Sequence, residues 1–203
     1  MISPIGENAS REWDADPFGP ELWDAMELAE ADPEAALCSI RKLAEEGSSL
    51  SMRVMGDIYL FGRWGLPEDT DLAELWLRRS AEAGSIDGAF LLARHLNGLA
   101  NYKEALEQYR ELADRGYSPA MFALACAYKN GEGVERDLQK SMEYFRMADR
   151  AGHLHSGLWL AWLWRNENLG FAMKVRGYLK SFRMIIPFVN CNIRYPKSDR
   201  LRL

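Results

Sequence analysis

The sequence has little of the material from which membrane spans, disulfide frameworks and metal sites are built. No apolar run approaches the roughly 20 residues that cross a bilayer as a helix. The three cysteines, Cys38, Cys126 and Cys191, are scattered without CxxC spacing, which argues against paired disulfides and a zinc site and favours a reducing compartment. The first eleven residues lack the pattern of a secretory signal. We therefore expect a cytoplasmic protein without a transmembrane segment.

The charge of the 203-residue chain is unevenly spread. The net charge is -5, but residues 165–203 hold nine Lys and Arg against two acids, a net +7, which leaves -12 for the first 164 residues. An acidic body repels phosphates, so we expect no nucleic-acid partner. The basic end indicates self-association, a charged partner or an anionic surface.

Four glycines mark an internal repeat with spacings of 37, 32 and 36 residues: Gly47, Gly84, Gly116 and Gly152. An apolar residue stands seven positions before each glycine, an arginine six before, a small residue eleven before and a capping residue fifteen before. The arginines are Arg41, Arg78, Arg110 and Arg146, and the capping residues are Asp32, Asp69, Asn101 and Asp137. Asp and Asn accept hydrogen bonds from the first amides of a helix, and glycine permits the left-handed turn that ends one. Each copy therefore predicts a helix between its capping residue and its glycine, which we call the B helix of the repeat.

A second pattern follows each glycine. Small residues stand four and nine positions after it, and large residues mostly stand eight and twelve after it. These offsets lie on one face of a second helix, which we call the A helix. Its small residues let a neighbouring helix approach closely. We therefore predict an all-α chain of stacked A–B helical hairpins.

Residues 52–84 and 120–152 resemble a Sel-1-like repeat. Gly131, Gly133, Val134 and Asp137 match its Gly-x-Gly-Val loop and Asp cap, whereas residues 89–116 lack that loop and resemble the shorter tetratricopeptide repeat. The resemblance implies a right-handed α-α superhelix, a solenoid, of about ten helices. The expected organisation is a tail over 1–19, a solenoid over 20–170 and a basic capping helix and tail over 171–203. The repeats fall at about 20–47, 48–84, 85–116, 117–152 and, in degenerate form, 153–186.

The basic C-terminal segment carries an apolar stripe at helical spacing: Phe171, Val175, Tyr178, Leu179, Phe182 and Ile186. Either the stripe packs on the last repeat and the basic groups face water, or the segment docks on an acidic partner, on an acidic face of a second copy or on anionic lipid.

The family resemblance also implies where a partner binds, because A helices line the concave side of such solenoids. Positions six, ten and thirteen after each glycine would face the groove, and they combine aromatic with basic and polar side chains. They are Arg53, Asp57, Leu60, Phe90, Arg94, Asn97, Phe122, Cys126, Lys129, Leu158, Trp162 and Arg165. Trp64, in a glycine-flanked loop, either serves as an exposed recognition anchor or folds back on its A helix.

Motifs that could carry catalysis are few and each has a simpler explanation. Ser39 and Lys42 match S-x-x-K but lie at packing positions of a B helix, without the companion motifs of lysine-activated serine enzymes. His153 and His155 lack a further metal ligand nearby, and a Cys126–His95 pair lacks an orienting group. We therefore predict no enzyme activity, no cofactor and no metal.

The sequence thus predicts a non-enzymatic module or adaptor that binds a protein or peptide partner through its concave surface. One narrower role is a bacterial inhibitor, of the immunity type, that blocks a toxic enzyme. Two alternatives stay open: a β-lactamase-like hydrolase, which the family resemblance raises, and a structural subunit that forms homo-oligomers through residues 171–203.

Overall fold

The computed structural model describes residues 15–153, 155–166 and 174–179, and within them it contains helices and turns without a strand. The predicted all-α class is confirmed. The helices are α1 Gly19–Leu28, α2 Pro33–Glu45, α3 Ser49–Phe61, α4 Thr70–Glu82, α5 Ile86–Gly98, α6 Tyr102–Asp114, α7 Ser118–Asn130, α8 Leu138–Arg150 and α9 Ser156–Asn166. Residues 174–179 are also helical. None of the described helices has the length and apolar character needed to span a membrane.

The predicted capping residues explain where most B helices begin. The carboxylates of Asp32, Asp69 and Asp137 each accept a hydrogen bond from a backbone amide of the first turn. Asn101 departs from the prediction, because its side chain makes no capping bond and instead donates from Nδ2 to Oε2 of Glu104 at 2.9 Å. The predicted capping role of Asn101 is therefore wrong.

The four repeat glycines adopt the left-handed backbone that ends each B helix. Their φ angles lie between +86° and +107°, a region that side chains other than glycine rarely occupy. The chain can then reverse within two or three residues and enter the next A helix. The serines Ser48 and Ser85 cap the A helices α3 and α5 through their hydroxyl oxygens.

The chain divides into two compact units, residues 1–120 and 121–203. The core of the first unit contains Leu22, Ile40, Met55 and Trp76, so α1 to α4 share one apolar interior. The core of the second unit surrounds Phe145, whose side chain is completely buried. The predicted domain boundaries otherwise stay predictions.

The first unit begins before residue 20, inside the segment predicted as a tail. Asp16 is buried, and its Oδ2 accepts hydrogen bonds from the Ser48 hydroxyl and the Leu50 amide, both at 3.1 Å. A buried carboxylate is costly unless its oxygens are bonded in this way. These hydrogen bonds therefore hold Asp16, at the start of the described residues, against the N-terminus of α3.

The repeated small residues are positions of close helix approach. A Cβ placed on Gly56 of α3 would lie 2.6 Å from the side chain of Leu77 in α4. The hydroxyl of Ser80 in α4 donates to the carbonyl of Ser49 at 2.7 Å. In the second unit, at a different repeat position, the Ser141 hydroxyl donates to the carbonyl of Ala125 at 2.8 Å.

The described part of the C-terminal segment, residues 174–179, packs on α9 through its glycine, and the described residues of its apolar stripe stay largely exposed. A Cβ on Gly177 would lie 2.7 Å from the carbonyl oxygen of Ala161. The stripe residues Val175, Tyr178 and Leu179 are instead 39%, 64% and 65% exposed. For these three residues, the interpretation that the stripe packs on the last repeat is wrong. The other stripe residues, Phe171, Phe182 and Ile186, lie outside the described residues.

Candidate functional site

The predicted groove residues on α3 have partners within the first unit. Asp57 pairs with Arg63 at 3.0 Å between Oδ2 and Nη1. Leu60 packs on the apolar core. Arg53 is half-buried, and its Nε has no hydrogen-bond acceptor among the described residues. Two of these three side chains therefore contribute to folding contacts.

The predicted groove residues on α5 differ in exposure. The Phe90 ring packs on Tyr117 and Tyr109, with centroids 5.3 Å and 5.8 Å away. Asn97 is half-buried and Arg94 is exposed. Phe90 is thus part of an aromatic cluster, and Arg94 is the member of this set that is most open to a ligand.

Trp64 folds back on the first unit. The ring is half-buried and packs against the core, and the residue has a φ of +55°, which is unusual for a bulky side chain. Of the two interpretations of the sequence, the contacts favour packing on the A helix.

The second unit places a lysine over two indole rings. Lys129 of α7 has its Nζ 4.8 Å from the Trp159 ring centroid and 5.9 Å from that of Trp162. The two rings meet edge to face with centroids 5.8 Å apart. An ammonium group at these distances is attracted to the negative ring faces. We refer to Lys129, Trp159 and Trp162 as the cation–aromatic cluster.

Part of this surface is open to solvent. Trp162 is 39% exposed and Leu158, one turn earlier on α9, is 49% exposed. Arg165, also on α9, lies over the ring of Tyr178 at 5.6 Å. Three predicted groove residues, Lys129, Trp162 and Arg165, therefore lie on a surface that joins rings to cations.

Phe122 and Cys126, the remaining predicted residues of α7, lie deeper. The Phe122 ring stacks on His153 with centroids 4.5 Å apart and meets Phe145 edge to face at 5.4 Å. Burial raises the pKa of the Cys126 thiol to about 11. Since the thiolate is the reactive form, Cys126 is a packing residue with little nucleophilic character at neutral pH.

Trp159 belongs to the cluster although the sequence analysis did not select it. It stands seven positions after Gly152, outside the offsets that the repeat families predict for a groove. The signal that could have found it is its i, i+3 spacing to Trp162, which places two indoles on neighbouring positions of one helix face.

Cations in both units pair with carboxylates and lie over aromatic rings. In the first unit Arg78 binds Glu74 at 2.8 Å and Glu104 at 2.6 Å. In the second unit the guanidinium groups of Arg146 and Arg176 lie over the Trp164 ring, at 5.9 Å and 5.3 Å from its centroid. Arg79 of the first unit likewise lies over the Trp76 ring at 4.8 Å, and Lys140 of the second unit pairs with Asp137 at 3.7 Å.

The residues of the possible catalytic motifs make ordinary local contacts. The Ser39 hydroxyl donates to the Ala35 carbonyl at 2.9 Å, and Lys42 lies 3.8 Å from Glu46. Nδ1 of His153 lies 2.9 Å from the Ser156 hydroxyl, and burial lowers the pKa of His153. Among the described residues, no group of three or more His, Cys, Asp or Glu could hold a metal ion.

The first comparison with known proteins concerns sequence. The Sel1 repeat model matches residues 49–85 and 118–153. An uncharacterized protein of Neisseria meningitidis serogroup B is 27% identical over 132 residues, which cover 64% of this chain and 27% of that protein. Chitin synthase regulatory factor 4 of Schizosaccharomyces pombe is 28% identical over 112 residues, which cover 55% of this chain and 18% of that protein. The matches thus span about a quarter or less of these curated relatives.

The second comparison concerns solved structures. A protective antigen of uropathogenic Escherichia coli with an SLR fold has a TM-score of 0.65 and 25% identity, covering 77% of this chain and 35% of that one. A Sel1 repeat protein from Oxalobacter formigenes has a TM-score of 0.66 and 21% identity, covering 87% of this chain and 80% of that one. These likenesses confirm the predicted solenoid fold class and the resemblance from which it came.

Proposed function

We propose that this chain, in which residues 49–85 and 118–153 match the Sel1 repeat model, binds a protein or peptide partner through the A-helix surface of its second unit. The observation that carries this proposal is the cation–aromatic cluster, in which Lys129 lies over Trp159 and Trp162. Tryptophan, tyrosine and arginine are the residues that most often dominate binding energy at protein interfaces, and this surface includes Trp162 and Arg165.

The cluster is already arranged for binding before a partner arrives. The two indoles support each other edge to face, and the lysine lies on them rather than extending freely into solvent. Less side-chain entropy is lost when such groups bind than when flexible groups bind. The exposed parts of Leu158 and Trp162 would pack on an apolar side chain of the partner, and Lys129 would bind an acceptor beside it.

The test is a pulldown from native lysate at low ionic strength. Wild-type protein should recover a stoichiometric partner, and the double variant Trp162→Ala with Lys129→Glu should lose it. The matched control is Leu75→Ala with Lys103→Glu, which changes an exposed apolar residue and an exposed lysine of the first unit. Equal recovery by both variants would refute this surface, and recovery of no partner by wild-type protein would refute the proposed function.

The narrower role within this function is inhibition of a toxic enzyme by the bound chain. The net charge of -12 over the first 164 residues supports fast capture of a basic enzyme at low salt. An inhibitor should abolish the activity of the recovered partner at a one-to-one ratio. A partner that keeps its activity in the complex contradicts the inhibitor role and leaves the adaptor role. A chromogenic lactam assay with wild-type protein and Ser39→Ala tests the hydrolase alternative.

A further inference from the structure

Helix α1 presents an apolar surface bordered by carboxylates. Trp23 is 55% exposed and Leu28 is 39% exposed, and the indole N–H of Trp23 donates to Glu27 at 2.9 Å. A cavity of about 450 Å³ is lined by Trp23, Met26, Glu27 and Glu30. A second, of about 340 Å³, is lined by Glu21, Asp24, Ala25, Leu28, Ser39, Lys42 and Leu43. We refer to Trp23, Leu28 and the carboxylates of Glu21, Asp24, Glu27 and Glu30 as the α1 surface.

Residues 174–179 present the opposite combination. Their apolar side chains at Val175, Tyr178 and Leu179 are exposed, and the exposed residues Lys174 and Arg176 lie among them. Gly177 holds the segment against α9, so the apolar side chains are presented outward by a backbone that is itself packed. We refer to residues 174–179 as the basic segment.

The two surfaces complement each other in both properties that govern association. Each exposes apolar area that is stabilised when water is removed, and their charges are opposite, which favours encounter at low salt and fixes which surfaces meet. We propose that the α1 surface of one copy binds the basic segment of a second copy, so that chains associate head to tail.

A second copy is the occupant that the charge distribution favours. Residues 165–203 carry a net charge of +7, whereas α1, the first described helix, carries acidic residues on its exposed side. Because every copy carries one surface of each kind, the contact is between unlike faces. Such contacts produce rings when the rotation closes and open assemblies when it does not.

The experiment is sedimentation of the full chain with charge-reversed variants. Wild-type protein should increase in average mass between micromolar and millimolar concentrations at low salt, and lose this increase at high salt. Asp24→Lys with Glu30→Lys should be monomeric alone, and so should Lys174→Glu with Arg176→Glu. Mixed at equal concentrations, the two variants should associate again, because each restores opposite charge to the other.

Two further variants separate this contact from general charge effects. Glu107→Lys with Glu111→Lys makes the same change of net charge on exposed positions of α6 and should associate as wild type does. Trp23→Ala, at a residue 55% exposed, should weaken association about tenfold, the scale of one moderate interface hot spot. A wild-type monomer at every concentration would overturn the proposal, and so would two variants that stay monomeric when mixed. Either result leaves the proposed partner surface of the second unit untouched, since its pulldown uses other residues.

Discussion

Nη2 of Arg41 donates a hydrogen bond to the hydroxyl of Tyr59 at 3.3 Å, which joins α2 to the A helix that follows it. The same separation of eighteen residues relates Arg146 to Trp164, whose ring lies 5.9 Å from the guanidinium. The residue eighteen positions after Arg78 is Leu96, whose side chain cannot accept a hydrogen bond. Arg78 pairs with Glu74 and Glu104 instead. In these three repeats the arginine therefore links a B helix to a neighbouring helix, and the local partner determines the kind of contact.

The Arg78–Glu104 pair joins α4 to α6, and Glu104→Gln should lower the free energy of unfolding. We expect about 0.5–1 kcal/mol near neutral pH, the upper range for partly exposed pairs. Arg78 lowers the pKa of Glu104 below its ordinary value of 4.5, so the contribution is present above that pH and is lost as the pH falls through the folded-state pKa. Urea unfolding at several pH values measures this.

The control for that pair is Lys42→Met, which breaks the more exposed, 3.8 Å contact with Glu46. It should change the free energy of unfolding by less than about 0.5 kcal/mol. A difference between wild type and Glu104→Gln that grows in acid would contradict the direction of the pKa shift.

Gly56→Ala should destabilise the first unit by about 1–3 kcal/mol, the usual cost of overpacking a tight core position. The reason is the 2.6 Å approach of the added Cβ to the Leu77 side chain. Gly98→Ala is the matched control, because it lies in α5 with no atom within 4 Å of the added Cβ and should leave stability unchanged or higher. Thermal unfolding compares the two variants. Equal unfolding midpoints would show that α3 and α4 can move apart at Gly56 without loss of stability.

The two kinds of B-helix start predict different sensitivities to alanine. The Asp69 carboxylate accepts from the Leu72 amide at 2.9 Å, so Asp69→Ala should cost about 1 kcal/mol. Asn101 makes no capping bond, so Asn101→Ala should cost clearly less. Chemical denaturation of both variants tests this, and a larger loss for Asn101→Ala would mean that its bond to Glu104 matters more than a cap.

Cys126 should react slowly with iodoacetamide. With a pKa of about 11, only about one thiol in a thousand is ionised at pH 8, and the side chain is half-buried. The exposed Cys38 should be alkylated at least about tenfold faster, and the rate at Cys126 should rise as the pH approaches 11. Peptide mass spectrometry resolves the two sites, and similar rates at pH 8 would mean that α7 opens readily.

Features set by neighbouring residues could be predicted from the sequence. The caps at Asp32, Asp69 and Asp137 and the terminating glycines depend on local backbone chemistry, and the small and large columns depend on helix periodicity. The partners of the repeated arginine could not be predicted, because they lie on other helices and vary between hydroxyl, carboxylate and ring.

The site was predictable in part for the same reason. The repeat offsets predict Lys129 and Trp162 as groove residues. Trp159 belongs to the cluster because the Lys129 side chain of α7 lies over its ring on α9, which the offsets do not predict. Amphipathicity alone leaves open whether the apolar stripe packs on the last repeat or docks on a partner, and its described residues are exposed. Gly177 approaches α9 closely, since it has no side chain to separate the two backbones.

The left-handed backbone of Trp64 constrains how this position can vary over evolutionary time. The φ of +55° disfavours most side chains, and the packing of the ring on the core offsets that cost. Homologues should therefore divide at position 64 between large aromatics, which keep the packing, and glycine or asparagine, which relieve the backbone. A short aliphatic residue would neither fill the space of the ring nor tolerate the positive φ. Homologues with side chains of intermediate size at position 64 should therefore be rare.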